Sequence, residues 1–198
     1  MRQLITNFSM IGLIMTSRVS NAGTHSRSFS DYSNVVRNEC KPAEKFSGDK
    51  AYIGCCYDTL KGAGNIGLKN TEIKQILKVV GDTTIHESKI KSAKLVGQVQ
   101  TFDSTFEDQF NATGSTLATK TIFKSLFEVV ADHSRLNDCN NQDIKFSSGD
   151  RSRDEVLDLE RTMVNGNIEF TNQRGKIYKD QGSTIRGRVI GGEVIPKE

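Results

Sequence analysis

The residues of this 198-residue chain best suited to nucleophilic, metal or acid–base chemistry are four cysteines and three histidines. The cysteines are Cys40, Cys55, Cys56 and Cys139. Structural zinc takes closely spaced ligand pairs, and none are present, so no metal ligand is assigned. In an oxidising compartment an even cysteine count reads as disulfides, with three possible connectivities. A bond between the adjacent Cys55 and Cys56 is strained, so the expected pattern joins Cys40 to one of that pair and Cys139 to the other. His86 stands beside Glu87, and His133 beside Asp132. A histidine general base must reach the proton it abstracts, and the simpler reading of both is structural.

Other patterns carry less. Gly62-Ala63-Gly64-Asn65-Ile66-Gly67 fits the GxGxxG spacing. A dinucleotide site also needs a preceding strand, a following helix and an acid about 20 residues on, whereas this glycine cluster opens a repeat. Asp150, Arg151, Arg153, Asp154 and Glu155 crowd one polar stretch, expected as a solvated loop, although loops on rigid scaffolds are where binding usually sits. Asn111-Ala112-Thr113 fits a glycosylation sequon, but Ala112 is expected to face inward. No catalytic residue and no cofactor-binding residue is assigned.

The positioning elements are legible in an internal repeat. Gly64, Gly81, Gly97 and Gly114 are spaced 17, 16 and 17 residues apart, and Ala131 continues the series. Nine residues after each glycine stands a large apolar residue: Ile73, Ile90, Phe106 and Phe123, with Asn140 next. Two residues before each of these is a small hydroxyl: Thr71, Ser88, Ser104 and Thr121, with Asp138 next. Leu77, Ala93, Phe110, Phe127 and Ile144 make a further column, and Val79, Leu95, Ala112, Val129 and Phe146 another. The column of Ile66, Thr83, Val99 and Thr116 leads to His133, which is thereby expected to turn inward. After a polar insertion from Ser147 to Glu155 the pattern resumes with Thr162, Val164, Ile168 and Phe170, then Ser183, Ile185 and Val189.

Within each turn the apolar residues alternate as i, i+2 pairs, the period of a strand. A 17-residue turn holds about three short strands, with glycine at corners that require positive φ. The expected fold is therefore all-β, a parallel β-solenoid of seven to eight turns over residues 64–195. Six-residue triplets such as Ile73, Val79 and Ile85 hint at a left-handed helix, but the 16- to 17-residue step favours a right-handed one. Residues 23–63 lack the repeat and are expected as a polar segment followed by a disulfide-fixed cap, since end turns expose strand edges.

The N-terminus adds an address. Arg2 precedes an apolar stretch from Leu4 to Met15, and Ser20-Asn21-Ala22 offers small residues for cleavage. That order predicts a signal peptide over residues 1–22 and an exported protein in the periplasm, at the cell surface or secreted. Cleavage removes Arg2 and Arg18 and no acid, so 27 basic against 24 acidic residues become 25 against 24. A nearly neutral mature chain argues against nucleic acid as partner. No apolar run is long enough to span a bilayer as a helix. The hydrophobic fraction of 35% with 17 glycines suits a slender stack, whose narrow core needs few apolar residues per turn.

The turn beginning Asp103-Ser104-Thr105-Phe106, the ending Thr162-Met163-Val164-Asn165-Gly166-Asn167-Ile168-Glu169-Phe170 and the later Gly187-Arg188-Val189-Ile190-Gly191-Gly192 resemble small secreted bacterial β-solenoid proteins, largely uncharacterised. The fold is similar to that of bactofilins, polymer-forming right-handed β-helices. The resemblance covers about two-thirds of the chain. Bactofilins are cytosolic, so the signal peptide departs from them and a cytoskeletal role does not carry over. The resemblance brings no catalytic residues, and no cofactor is expected. The functional expectation is a structural, self-associating or adhesive module, with its solenoid ends or a surface or host molecule as partner. The alternatives are a solenoid enzyme, acting on acyl groups or polysaccharide, or a secreted effector.

Overall fold

In the computed structural model, residues 40–150 and 152–197 are described. The expected signal peptide, and residues 23–39 after it, lie outside that range. The described residues form 23 strands and no helix, and all their pairings are parallel, each strand bonding to its counterpart one turn away. A representative turn runs from Phe110–Thr113 on a first face, through Thr116–Thr119 on a second, to Ile122–Phe123 on a third. The corners are Gly114-Ser115, Lys120-Thr121 and the stretch from Lys124 to Leu126. Nine strands stack on the second face: Lys50–Ile53, Ile66–Lys69, Thr83–His86, Val99–Phe102, Thr116–Thr119, His133–Asn137, Glu155–Glu160, Gly175–Lys179 and Gly192–Pro196. The fold is thus a parallel β-solenoid of about nine turns.

The register explains the alternation. Ile66, Thr83, Val99 and Thr116 succeed one another at steps of 17, 16 and 17 residues, so each turn sets its inward side chain on the one before. Ile73, Leu77, Val79, Ile90, Leu95, Phe106, Phe110, Phe123, Phe127, Val129, Ile144, Phe146, Val164, Ile168 and Phe170 are all buried, none above 2% exposure. Ile185 and Val189, in the last turn, are only partly buried against that core. The phenylalanines stack along the axis: the rings of Phe106 and Phe123 lie 5.1 Å apart and 4° from parallel, those of Phe110 and Phe127 5.1 Å and 8°. Edge contacts between the two stacks, such as Phe106 on Phe110 at 4.8 Å, lock them together. Each such aromatic pair is worth about 1 kcal/mol beyond the area it buries.

Glycines hold one corner because neither the conformation nor the space admits a side chain. Gly64, Gly81, Gly97 and Gly114 have φ between 124° and 141°. A Cβ on Gly81 would lie 2.2 Å from the Gly64 carbonyl oxygen, so successive corners touch backbone to backbone. The next corner follows a different rule. Gly54 is succeeded there by Asn70, Glu87, Asp103, Lys120, Asp138 and Arg161, each with φ between 46° and 53°. Left-handed non-glycine residues cost of order 1–3 kcal/mol each, so the neighbouring structure must hold them in place.

Two sequence expectations shift. Parallel stacking begins at Lys41, not at residue 64: Lys41–Ser47 pairs with Cys56–Ala63, and Lys50–Ile53 with Ile66–Lys69. The stretch expected as a separate cap is the first turns of the stack itself. Gly48, with φ 75°, begins the glycine column, while Tyr57 and Leu60 begin two apolar ones. The second shift arises in His133–Asn137, where Leu117 faces Arg135 at a step of 18. The added residue moves the columns on this face and the next by one, and the step returns to 17 where Phe127 faces Ile144. Asn141, not Asn140, follows Phe123. Asn141 is fully buried there, and neither atom of its side-chain amide has a partner.

Candidate functional site

The hydroxyl column lies at the corner between the second and third faces and extends beyond Thr71, Ser88, Ser104 and Thr121 in both directions. In register it runs Cys55, Thr71, Ser88, Ser104, Thr121, Cys139, Thr162 and Ser183. Thr71, Ser88, Ser104, Thr121 and Thr162 each donate a hydroxyl hydrogen to the carbonyl two residues earlier, at 2.6 to 3.0 Å. Several hydroxyls also accept the backbone N–H of the turn before, as Ser88 does from Thr71 at 3.1 Å and Ser104 from Ser88 at 3.2 Å. The ladder satisfies backbone groups where the chain turns and pins the left-handed residue just before each hydroxyl. Its role is architectural.

Cys55 and Cys139 stand in this ladder as thiols. Cys139 donates to the Asn137 carbonyl at 3.3 Å, and Cys55 to that of Ile53 at 3.3 Å. Both are free, while Cys40 and Cys56 are bonded to each other. The expected bond from Cys139 to the Cys55–Cys56 pair is therefore not formed. The stack explains this: Cys55 and Cys139 share a column but are separated by four turns, those of Thr71, Ser88, Ser104 and Thr121. Cys56 points the other way and meets Cys40 at the first turn, closing a separation of 16 residues. The Sγ atoms of Cys40 and Cys56 lie near the Glu72 carboxylate, within 4.8 Å. Metal binding needs thiolates, and both sulfurs are committed to the disulfide.

The histidines separate. His86 stacks its ring on Phe102 across the second face at 4.7 Å. His133 does not turn inward: the added residue puts Ser134 in the interior column, and His133 is exposed. Its Nε2 lies 2.7 Å from Asp158 Oδ2. Asp158 also meets Arg135 at 3.4 Å and Lys197 at 3.0 Å. Burial alone would raise the Asp158 pKa; hydrogen bonds from His133 and Lys197 hold it below the ordinary carboxylate range. A carboxylate held by an imidazole, a guanidinium and an ammonium works as a clamp between the sixth, seventh and last turns.

The insertion is tied down rather than solvated throughout. Arg153 bridges Asp132 at 2.7 Å and Asp150 at 3.4 Å. Asp154 meets Lys176 at 2.6 Å and Arg174 at 3.2 Å. Glu155, expected in the solvated loop, is fully buried. Its Oε1 accepts the Ser148 N–H at 2.7 Å, and burial raises its pKa. The glycines of the GxGxxG match are spent on packing: a Cβ on Gly62 would strike the Phe46 ring, and one on Gly64 the Gly48 carbonyl. No helix among the described residues is long and apolar enough to cross a membrane.

Side chains with chemical potential are thus scattered over different faces and turns, each with a local structural partner. What the stack offers instead is regularity, with outward columns of like residues repeated turn after turn. No family model, no curated protein and no solved structure matches this chain, so these columns and the fold are what a functional reading has to rest on.

Proposed function

We propose that the chain is an exported, non-catalytic β-solenoid that serves as a structural or binding module of the bacterial envelope or surface and associates with further copies through its end turns. The observation that carries this reading is the last turn. Among the described residues its strands Thr184–Ile185, Val189–Ile190 and Gly192–Pro196 pair on one side only. Ile190 and Val194 there are 49% and 42% exposed. A strand edge with free N–H and C=O groups and apolar neighbours is a template for another strand. Head-to-tail contact is heterologous and builds filaments if it does not close. The Cys40–Cys56 disulfide supports the export half of the reading, because such bonds persist in oxidising compartments.

Sedimentation velocity over a hundredfold range of concentration tests the association. Wild-type protein is expected to shift to larger species as concentration rises, and the Ile190→Lys/Val194→Lys double variant to remain monomeric. A wild-type chain that stays monomeric at the highest concentration overturns head-to-tail assembly.

A further inference from the structure

The outward side chains of the first face carry a column of charge without compensation. Lys45 pairs with Lys61, Lys61 with Lys78, and Lys78 with Lys94 in four consecutive turns. All four are exposed. Adjacent strands lie about 4.8 Å apart, so the four lysines leave the sheet from a row of backbone positions at that spacing. The columns on either side bear no charge. Ala43, Thr59, Ile76 and Ser92 flank it on one side, and Ser47, Ala63, Val80 and Val96 on the other. Among the described residues none of the four lysines joins an ion pair, whereas Lys89, Lys124 and Lys145 elsewhere all do.

Like charges stacked directly opposite one another destabilise a sheet. The same column shows how the chain relieves that strain elsewhere. After Asn111 it continues through Glu128 and Lys145, which pair at 3.7 Å. The first four turns leave the repulsion in place. Local rules broken without local compensation point to function. Val80 and Val96, 59% and 47% exposed, run beside the lysines and with Lys61, Lys78 and Lys94 line a shallow groove that ends at Asn111 and Thr113, with Lys45 continuing the row beyond it.

We infer that this groove binds an extended acidic polysaccharide, its carboxylates on Lys45, Lys61, Lys78 and Lys94 and the apolar faces of its sugar rings on Val80 and Val96. The chemistry favours this polymer over other anions. A hexuronate unit in an extended chain is about as long as the spacing between turns, and the long, flexible lysine side chains reach carboxylates that the screw of the chain turns to different sides. Single-stranded nucleic acid is bound by basic grooves with aromatic platforms for the bases, and no aromatic side chain stands in these three outward columns. Duplex DNA carries its phosphates at about 3.4 Å per strand, out of step with the row. The surface is lateral and leaves the strand edges of the end turns free, so it works in a monomer or a filament alike.

Equilibrium binding of the full chain to polygalacturonate, with dextran as the neutral control, tests the inference. Wild-type protein is expected to bind polygalacturonate and not dextran, with log K falling against log salt at a slope of roughly −3, as for about four counterions released from a single-stranded polyanion. The Lys61→Gln/Lys78→Gln/Lys94→Gln variant is expected to lose at least tenfold in affinity with an unchanged melting temperature. Lys78→Gln alone should flatten the salt slope by about one unit. Lys69→Gln, an exposed lysine on the second face, should change neither. No binding at low salt, or equal binding by the triple variant, overturns the inference. Tighter binding to oligo-dT or to phosphatidylglycerol vesicles than to polygalacturonate overturns the choice of polymer. None of these outcomes depends on sedimentation behaviour, so the inference and head-to-tail assembly fail separately.

Discussion

The thiol of Cys139 reaches its carbonyl partner at 3.3 Å from a position that neighbouring turns fill with hydroxyls at 2.6 to 3.0 Å. At 3% exposure it is sealed from solvent, and burial raises its pKa from 9.0 to about 11. A group with a raised folded pKa holds its proton more tightly folded than unfolded. Its stability contribution is therefore full below pH 9 and is lost as pH rises toward about 11. One unit of pKa corresponds to about 1.4 kcal/mol, so wild-type protein is expected to lose about 2–3 kcal/mol more than Cys139→Ser between pH 8 and pH 11. Denaturant titrations of both proteins at both pH values measure this; tyrosines and lysines titrate in both and cancel in the difference. Parallel losses would show that the thiol is not held as described. Serine fits the position because it restores the ladder's own chemistry.

At the scale of the turn, the glycine corners and the left-handed corners answer the same geometric demand in different ways. Gly81→Ala places a methyl 2.2 Å from the Gly64 carbonyl oxygen at φ 141°, where no neighbour can yield without moving a whole corner. Strain and overpacking together predict a loss of about 3 kcal/mol or more. Gly149→Ala, with nothing within 4 Å of the added methyl, should be nearly neutral. Thermal melts of the two variants decide it, and comparable melting temperatures would mean that the corners are not packed backbone on backbone. The glycine column was legible because only one residue type serves there. The other corner was not, because Asn70, Glu87, Asp103, Lys120, Asp138 and Arg161 share a conformation but no chemistry. The first turns are hidden in the sequence for a related reason. Cys55 replaces a hydroxyl and Gly54 replaces a polar left-handed residue, so two columns appear to start one turn late. A single extra residue in His133–Asn137 then carried Asn140, Asp138 and His133 out of their expected places. Of the candidate chemistry, the cysteine count could be read from the chain, and so could a bond from Cys40 to the Cys55–Cys56 pair, though not to which member. The lysine row could not be isolated, because it emerges only when the faces are known.

Across the stack each turn touches chiefly the turns before and after it, so stability is close to a sum of nearest-neighbour terms. The Cys40–Cys56 bond closes 16 residues at the first turn, and a loop of that size is worth about 3 kcal/mol. Its reduction is expected to speed hydrogen exchange in Lys41–Ser47 and Lys50–Ile53 while leaving Ile144–Ser147 and Ile168–Phe170 unchanged. Uniform loss of protection would mean that the stack melts as one cooperative unit. The in-register corners carry a last consequence. Gly97 sits on Gly81 and Gly114 sits on Gly97, so the 17 residues from Gly97 to Thr113 begin and end at equivalent points. A gene that duplicated or lost that block would rejoin corner to corner with every column intact. Such a molecule behaves as a ruler marked in single turns, able to lengthen or shorten by recombination without a new fold being found.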